Sequence, residues 1–462
     1  MRNFGTHFQE NTINFIAKRM KVLKFGGTSV GSAERIRHVA DLVSARGRNI
    51  IVLSAMSGTT NTLVEIAGYL YKRNINGAKE TINLLESKYL KTLSSLYDKH
   101  ESRERALKEI KACFNYIRSF TQRETFGETE EKIILAQGEI MSVAMMTILL
   151  NERGLYAEAL PALDFMKTGT NSEPDMQHIQ LHLQPLLDKY MDADIFVTQG
   201  FICRNSSGEV DNLQRGGSDY TASLIGAAIE AEEIEIWTDI DGMHNNDPRY
   251  VDNTSPVGEL HYEEAAELAY FGAKILHPTC VLPAKVNNIP VRLLNTMEPE
   301  AHGTLIYNNI SDPCIKAVAA KDNVVAIKIK SSRMLLAYGF LTKVFETFEK
   351  YKTPIDMIAT SEVGVSLTID SERFLPEIVD ELQKFGTVTV DKDMVIVCVV
   401  GNMDWNNTGY EARAVEALSE IPVRMISYGG SNYNISFLIR KEDKVKALNL
   451  LSEKLFSNKS AE

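Results

Sequence analysis

The chain has 462 residues, of which 44% are hydrophobic and 24% are charged, a composition typical of a globular protein with two or three domains. Asp and Glu number 61 against 50 for Lys and Arg, so the formal net charge is −11, which argues against nucleic acid or an anionic membrane as the main partner. The five cysteines include no CxxC pair, which favours reduced thiols and a cytoplasmic location. No apolar run reaches membrane-spanning length by inspection, and the histidines show no metal-ligand spacing.

The first nineteen residues lack the long apolar core of a secretory signal. A second methionine, Met20, directly precedes the first predicted strand. We therefore predict that residues 1–19 are an extension outside the fold. Strands and helices alternate over 20–310, and a change of character indicates a second region over 318–462.

A glycine-rich turn follows the first predicted strand, where the stretch from Lys24 to Gly31 reads KFGGTSVG. A strand, a turn of small residues and a helix starting near Ala33 can bind phosphate, because the backbone approaches closely and the amides at the helix start point at the anion. Lys24 adds a cation at the strand end. Ser32 stands where the P-loop requires lysine, so that motif is excluded, and an ordinary tight turn stays an alternative.

Further elements follow with the alternation of an α/β fold. The nearly all-apolar segment 49–54 predicts a strand buried on both faces, and it runs into a loop of small hydroxylated residues, SAMSGTTN. Helical patterns cover 62–125, as a lobe or lid, and 133–153, and a strand pattern covers 194–204. The alternation predicts a mainly parallel sheet with helices on both faces, whose ligands bind at the carboxyl ends of the strands.

The stretch RGGSD, from Arg215 to Asp219, opens a helix of small residues. An arginine can clamp a carboxylate with two parallel hydrogen bonds, whereas the alternative is a capped helix start with Arg215 in solvent. Glu139 lies inside an otherwise apolar helix, where it can hold an ammonium group, although a solvent-facing glutamate is the commoner reading.

Polar loops later in the chain suit a nucleotide. Asp239 follows a predicted strand, an Asp-Pro-Arg turn ends in Arg249, and Lys274 follows a glycine by two positions, although each also fits an ordinary turn or helix end. Together the loops indicate phosphoryl transfer to a small carboxylate, which needs positioning and cations around the transferring group. Lys24, Lys274 and Arg249 would supply the cations, with Mg²⁺ held mainly by ATP oxygens.

Two units with the order strand, helix, strand, strand, helix, strand follow the change of character. The first runs from Val325 to Phe385, and a similar order returns from Val395 to Phe456. This weak internal duplication carries few catalytic-looking clusters, so binding or assembly is its expected role.

In combination these motifs resemble those of the aspartate kinases of the amino acid kinase superfamily. The resemblance covers nearly the whole chain from Met20, and its motifs KFGGTSV, VLSAMSGTTN, QGE, RGGSDYTA, WTDIDGM…DPR and FGAKILHP begin at Lys24, Val52, Gln137, Arg215, Trp237 and Phe271. It implies an α/β fold, the amino acid kinase αβα sandwich with a mainly parallel central sheet, plus C-terminal α+β tandem ACT (βαββαβ) regulatory domains. It also implies ATP:L-aspartate 4-phosphotransferase activity, the first step toward lysine, threonine, methionine and diaminopimelate.

The resemblance further implies roles for individual residues. Among those implied in catalysis, Lys24 would stabilise the transferring phosphoryl group, Arg215 would grip the α-carboxylate of aspartate, and Asp219 would face its α-amino group. The residues implied to contact aspartate are Thr60, Ser54, Glu139, Arg215, Ser218 and Asp219. Those implied to contact ATP are Lys24, Gly26, Gly27, Thr28, Ser29, Thr238, Asp239, His244, Arg249 and Lys274. The family often has tyrosine where this chain has His244, so the contact of that residue with the base or ribose is left open.

The C-terminal region resembles a tandem pair of ACT domains, in which the second unit, at about 390–430, would be inserted into the first. A helix start at Gly339 offers amides to an amino acid carboxylate, and Asp356 suits its ammonium group. The segment implied to bind the effector comprises Met334, Gly339, Phe340, Leu341, Ile355, Asp356, Thr360, Ser361 and Glu362. Lysine-sensitive members often carry histidine where Leu336 stands, so lysine is only the first expectation and threonine stays open. The resemblance also implies a monofunctional enzyme that forms a homodimer or tetramer through its ACT domains.

Two other readings are retained. A different amino acid kinase, acting on glutamate, acetylglutamate, carbamate or UMP, would share the loops, but Glu139 and Arg215 favour a free amino acid and the ACT pair favours aspartate. A catalytically inactive amino acid sensor is the second alternative, and the intact Lys24, Arg215 and Asp219 argue against it.

Overall fold

The computed structural model describes residues 20–213, 216–272, 276–309, 314–331 and 338–456, so the predicted extension over 1–19 lies outside the described residues. A large sheet forms the centre of the first region. Its strands are β1 (Lys21–Phe25), β2 (Asn49–Leu53), β3 (Ala157–Leu160), β4 (Ile195–Gln199), β7 (Ile234–Thr238), β8 (Glu259–His261), β9 (Val291–Asn295) and β10 (Thr304–Tyr307). A separate ribbon contains β5 (Ile202–Arg204) and β6 (Val210–Asn212).

The central sheet has the order β3-β4-β2-β1-β7-β9-β10-β8. From β3 to β9 all neighbouring strands run parallel, and only β10 pairs with β9 in the antiparallel sense. All residues of β2 and β4 are buried, as expected for strands with helices on both faces. The predicted α/β fold class is therefore confirmed.

Nine helices among the described residues cover the two faces of this sheet. They are α1 (Ala33–Ser44), α2 (Thr59–Tyr71), α3 (Ile75–Leu96), α4 (His100–Ser119), α5 (Glu128–Glu152), α6 (Met176–Lys189), α7 (Gly217–Ala228), α8 (Tyr262–Tyr270) and α9 (Pro278–Val286). Apolar residues of α1 to α5 form the core on one face, and those of α6 to α9 form the core on the other. The predicted helical lobe over 62–125 corresponds to α2, α3 and α4.

Helix α5 is long and apolar enough to cross a membrane by length and composition alone, although the sequence was expected to contain no such run. In the structure 72% of its most apolar window is buried inside the protein. Helix α5 is thus packed as a core helix, and this explains why it is apolar on all sides.

One predicted strand is interrupted. Residues 194–204 were expected to form a single strand, but β4 ends at Gln199 and β5 begins at Ile202. Phe201 between them has a φ of +70°, a conformation that cannot continue a strand. Its amide donates to Thr221 Oγ1 at 2.9 Å, so the interruption joins the end of β4 to α7.

The regulatory region contains a six-stranded sheet with the order β12-β13-β11-β14-β16-β15. Its strands are β11 (Cys314–Lys330), β12 (Ile358–Ser361), β13 (Gly364–Ile369), β14 (Thr387–Asn402), β15 (Met425–Tyr428) and β16 (Asn434–Arg440). Its helices are α10 (Phe340–Lys350), α11 (Leu375–Leu382), α12 (Tyr410–Ala417) and α13 (Lys444–Phe456).

The strand pairing reverses the nesting that we expected for the two regulatory units. The first unit, over 324–391, is continuous, since β11 from residue 325 onward pairs with β13, and these strands share a core with α10 and α11. The start of β11, residues 314–321, instead shares a core with β14, β16, α12 and α13, so the first unit is inserted into the second. The expected nesting came from the resemblance to tandem ACT domains. The strand pattern of the sequence could not correct it, because two similar units offer equivalent partners to a strand.

Helix α8 lies against the regulatory sheet. The Glu264 side chain is fully buried and pairs with Lys316 of β11 at 2.7 Å, and Glu267 accepts a hydrogen bond from Asn434 of β16. These contacts fix the regulatory sheet beside the helix that precedes the FGAKILHP motif.

Candidate active site

The predicted functional loops meet at one edge of the central sheet. The four adjacent strands β4, β2, β1 and β7 run parallel, so their carboxyl ends and the loops that follow them lie side by side. Backbone hydrogen bonds continue beyond the strands, from Gly26 N to Trp237 O at 3.3 Å and from Ser54 N to Phe25 O at 3.2 Å. The tertiary structure therefore brings together loops that are far apart in sequence, such as those that follow Phe25 and Thr238.

A buried ion pair lies at the centre of this edge. Lys24, at the end of β1, is 8% exposed, and its Nζ lies 2.6 Å from Oδ1 of Asp219 in the first turn of α7. A largely desolvated pair interacts strongly, because little water screens the charges. The first and fourth motifs of the sequence thus place a cation and a carboxylate in direct contact.

Two loops approach each other more closely than side chains would permit. Ser57 N donates to Gly27 O at 3.0 Å, and a Cβ atom on Gly27 would lie only 2.7 Å from the carbonyl oxygen of Ala55. The glycine is therefore required by space. The loop is further braced by Arg35, whose Nη1 donates to Thr28 O at 2.6 Å.

Replacing Gly27 with alanine is expected to lower kcat/KM for both substrates by about 10²-fold, since small displacements of positioned groups cost this much. Steady-state kinetics measures the effect. Gly68→Ala in α2 is the matched control, because a Cβ there meets nothing within 4 Å and alanine should favour the helix by about 1 kcal/mol. Unchanged activity in Gly27→Ala would contradict the close approach of the two loops.

Glu139 is buried in α5, with 3% of its surface exposed. Its Oε1 accepts a hydrogen bond from Ala55 N at 3.3 Å, and its Oε2 has no hydrogen-bond partner among the described residues. Desolvation raises the pKa of the Glu139 carboxyl to about 8, against the opposing effect of backbone hydrogen bonds. The solvent-facing alternative is therefore wrong, and the site contains a carboxyl group with one unused oxygen.

Hydroxyl groups surround this carboxyl group and the ion pair. Ser54 Oγ donates to Ser218 Oγ at 2.9 Å, which joins the second loop to α7. Thr60 is half-buried in the first turn of α2. The preceding Thr59 is fully buried, with its Oγ1 3.1 Å from the hydroxyl of Tyr89 in α3, a contact that the sequence did not indicate.

The sequence also missed a fifth loop, which follows β9. Thr296 is buried, and its Oγ1 lies 2.6 Å from Ser29 Oγ. Its amide donates to Thr238 O at 2.8 Å. The only available signal was its position directly after a strand, which many residues share.

Of the later residues predicted to contact the nucleotide, Thr238 and Asp239 lie at the end of β7, whereas His244 and Arg249 lie in the long loop that follows. Thr238 accepts a hydrogen bond from Ile240 N at the end of β7, and Asp239 is exposed beside it. His244 is linked to Thr254 and Asp241 through its two ring nitrogens, at 2.9 and 2.8 Å.

Arg249 is exposed and forms a two-pronged pair with Asp247, at 2.9 and 2.6 Å. Burial tends to raise the pKa of the Asp247 carboxyl, but the hydrogen bonds and charge of Arg249 lower it. In this structure Arg249 is therefore engaged by its neighbour in the turn. Arg215 and Lys274 lie outside the described residues.

Comparison with known proteins identifies the family. The model of the amino acid kinase family matches residues 19–295, and the model of an ACT domain matches residues 397–455. Lysine-sensitive aspartokinase 3 of Escherichia coli (strain K12) is 33% identical over 449 residues, which cover 94% of this chain and 99% of the relative. The chain belongs to the aspartokinases of the amino acid kinase family.

Two solved structures of E. coli aspartokinase III extend this result to three dimensions. The complex with aspartate and ADP aligns with a TM-score of 0.79 and 31% identity, covering 95% of this chain and all of that chain. The complex with lysine and aspartate aligns with a TM-score of 0.75 and 31% identity, covering 95% and 99%. The aspartokinase catalyses nucleotide-dependent phosphorylation of aspartate and is under feedback control by an amino acid.

The residues predicted to bind the effector lie around the start of α10 and the edge strand β12. Gly339 caps α10 with a φ of +81° and no side-chain cap, Phe340 is 8% exposed and Leu341 is more open. Ile355 is half-buried, whereas Thr360, Ser361 and Glu362 are exposed at the end of β12. Met334 lies outside the described residues.

Asp356 is a charged member of this set whose side chain is buried. Its side chain is 1% exposed, its Oδ1 lies 2.7 Å from Lys321 Nζ, and its Oδ2 has no hydrogen-bond partner among the described residues. The aspartokinase thus has a buried carboxylate with an unused oxygen in the predicted effector region, outside its catalytic site.

Proposed function

We propose that this aspartokinase transfers the γ-phosphoryl group of ATP to the β-carboxylate of L-aspartate and forms 4-phospho-L-aspartate. The observation that carries the proposal is the buried Lys24–Asp219 pair at the carboxyl ends of adjacent parallel strands. The β-carboxylate is already an anion at neutral pH, so the reaction needs positioning and cations more than a strong general base.

Lys24 is proposed as the cation on the transferring phosphoryl group. In the described structure its charge is balanced by Asp219. When the nucleotide is bound, its phosphate competes with Asp219 for the ammonium group of Lys24 and interacts with it more strongly. Asp219 would then be available to the α-ammonium group of aspartate. The exchange of partners lets one lysine and one carboxylate serve two substrates.

The unused oxygen of Glu139 supports a second contact with the ammonium group. A buried carboxylate without a full set of partners is unfavourable in the empty site, and an incoming cation supplies what is missing. We propose Ser54, Thr60 and Ser218 as the hydroxyl groups that frame the substrate. Arg215 is proposed, on its motif alone, as the clamp on the α-carboxylate.

The nucleotide is proposed to lie along the loop from Gly26 to Ser29, next to Thr238 and Asp239. His244, Arg249 and Lys274 are proposed to complete this side, which requires Arg249 to exchange its partner Asp247 for phosphate. Mg²⁺ prefers oxygen ligands and retains several waters. The 26–29 loop carries no carboxylate, so we propose that the phosphate oxygens of ATP hold most of the ion.

The effector is proposed to bind between the start of α10 and Asp356, with its carboxylate near the Gly339 end of the helix and its ammonium group on Asp356 Oδ2. Lysine is the first candidate, because relatives named lysine-sensitive or solved with lysine match nearly the whole chain, and threonine stays open. The remaining effector contacts are proposed to come from Met334, Phe340, Leu341, Ile355, Thr360, Ser361 and Glu362.

We further propose that the enzyme is cytoplasmic, serves the biosynthesis of lysine, threonine and methionine, and forms a homodimer or tetramer through its ACT domains. The strand β12 supports the assembly, since it lies at an edge of the regulatory sheet and an edge strand can pair with a second copy.

A hydroxamate trap for acyl phosphate tests the reaction and its effector together. The enzyme is assayed with MgATP and either L-aspartate or L-glutamate, each with and without lysine or threonine. We expect product from aspartate alone, suppressed by one of the two amino acids. Product from glutamate at a comparable rate would overturn the substrate assignment, and the absence of any suppression would overturn the effector assignment.

A further inference from the structure

The C-terminal end of α8 contacts the carboxylate that is proposed to receive the effector. The hydroxyl of Tyr270 donates to Asp356 Oδ1 at 2.5 Å, and Lys321 pairs with the same oxygen. The ammonium group of Lys321 also lies 4.4 Å from the ring centre of Tyr270. Two side chains from separate segments, Tyr270 and Lys321, thus share one oxygen of the buried Asp356 carboxylate.

Two residues beyond Tyr270, the backbone lies directly against the regulatory sheet. Gly272 has a φ of +129°, and a Cβ there would lie 2.3 Å from the carbonyl oxygen of Ala320. Ala320 precedes Lys321 in β11. The end of α8 and this part of β11 are therefore in contact through both backbone and side chains, and a displacement of one is transmitted to the other.

His277, near the end of the FGAKILHP motif, and Cys280, just beyond it, lie close to the catalytic loop. A Cβ on Gly216 would lie 2.2 Å from Cys280 Sγ and 3.2 Å from His277 Cβ, and Gly216 opens the helix that carries Asp219. The described residues on one side of Lys274 are thus packed on the regulatory strand, and those on the other side are packed on the catalytic loop.

We propose that Tyr270 is the positioning residue through which an effector at Asp356 weakens nucleotide binding. The inference rests on the proposed effector site. An ammonium group on Oδ2 competes for the charge of the carboxylate that holds the Tyr270 hydroxyl, so the end of α8 is released from β11. His277 and Cys280, which follow α8 in the chain, then shift against Gly216, and the start of the helix that carries Asp219, the partner of Lys24, is displaced with them.

The internal duplication supplies a natural control for this contact. The segment TPIDMIAT, residues 353–360, aligns with IPVRMISY, residues 421–428, and both lead into edge strands of the regulatory sheet. Arg424 takes the place of Asp356, and it pairs with Asp391 of β14 at 2.8 Å. In the second pair the charges are reversed, and the pair borders an open cavity of about 830 Å³ whose lining residues all belong to the regulatory region.

The test measures coupling by calorimetry with three proteins: wild type, Tyr270→Phe and Asp391→Asn. The Kd of ADP is measured with and without saturating L-lysine, or L-threonine, and the Kd of the amino acid is measured with and without ADP. In the wild type we expect the amino acid to raise the Kd of ADP by about 5- to 150-fold, the usual range of such coupling, and ADP to raise the Kd of the amino acid by the same factor, because linkage is reciprocal. In Tyr270→Phe we expect this factor to fall to about twofold or less.

Tyr270→Phe should also raise KM for ATP several-fold without effector, with kcat retained, because the variant imitates the released state. Asp391→Asn breaks the equivalent pair in the other unit and should keep wild-type coupling. Normal coupling in Tyr270→Phe overturns the inference while leaving the effector site intact. If neither amino acid binds the wild type, the effector site and the inference both fail, and the kinase activity is unaffected by that result.

Discussion

Replacing Lys24 with methionine is expected to lower kcat by about 10³-fold, the range measured when a group that stabilises transition-state charge is removed. Methionine retains much of the volume of the lysine stem, so the buried position stays filled. The loss should appear in kcat, because the cation acts most strongly on the charge that develops during transfer. The acyl phosphate trap under saturating substrates measures it.

Lys21→Met is the matched control for this variant. Lys21 lies at the other end of β1 and pairs with Glu233 and Glu235, both at 3.1 Å. Its replacement removes a charge from the same strand without touching the catalytic edge, so kcat should be retained. Calorimetric titration should show that Lys24→Met still binds the effector, because Asp356 lies in the regulatory region, outside the catalytic edge. Full turnover in Lys24→Met would remove Lys24 from the mechanism.

The second large effect concerns Glu139. In the free enzyme its carboxyl group is mostly protonated at pH 7, because burial raises its pKa to about 8. Aspartate requires the ionised form, so binding must release a proton. We expect kcat/KM for aspartate to rise with pH, by about tenfold per unit below the pKa, and to level off above about 8.

Glu139→Gln should abolish this rise and lower kcat/KM by at least about 10²-fold above pH 8, where the wild type carries the carboxylate. Glu128→Gln is the control from the same helix, since its side chain is 77% exposed. A wild-type pH profile in Glu139→Gln would show that another group titrates. The buried Tyr89 interacts electrostatically with Glu139, but burial raises the pKa of its hydroxyl well above the range tested.

Glu139 also makes an independent prediction for stability. A carboxyl group whose pKa is raised on folding binds more protons in the native state, so its unfavourable effect grows as pH rises from the unfolded value to the folded value. Below about pH 4.5 the wild type and Glu139→Gln should be equally stable at this site. Between 4.5 and 8 the variant should gain about 1.4 kcal/mol per pH unit, as an upper limit. Thermal unfolding at pH 5 and pH 8 distinguishes this result from a purely structural role, in which the variant is destabilised at both values.

Much of the local architecture followed from the sequence. The continuous run of apolar residues placed β2 within one residue of its observed bounds, because a strand buried on both faces has to be apolar throughout. The glycine-rich turns were recognised as approach sites, and Gly27 and Gly216 are indeed packed against neighbouring atoms. The family was also accessible, because its motifs are short and contiguous.

Other features depended on packing between distant segments. The sequence around Glu139 is compatible with a buried or an exposed side chain. Only the structure shows that this side chain is buried against the backbone of Ala55. The nesting of the regulatory units depended on which of the two similar units includes residues 314–321. The contact between Tyr270 and Asp356 joins residues 86 positions apart, and neither has a local signal of the other. Sequence determined the elements, the loops and the family through short-range patterns. Tertiary packing decided the burial of Glu139, the nesting of the regulatory units and the contact of α8 with Asp356. The reason is that the free energy of a contact depends on all the segments that exclude water around it.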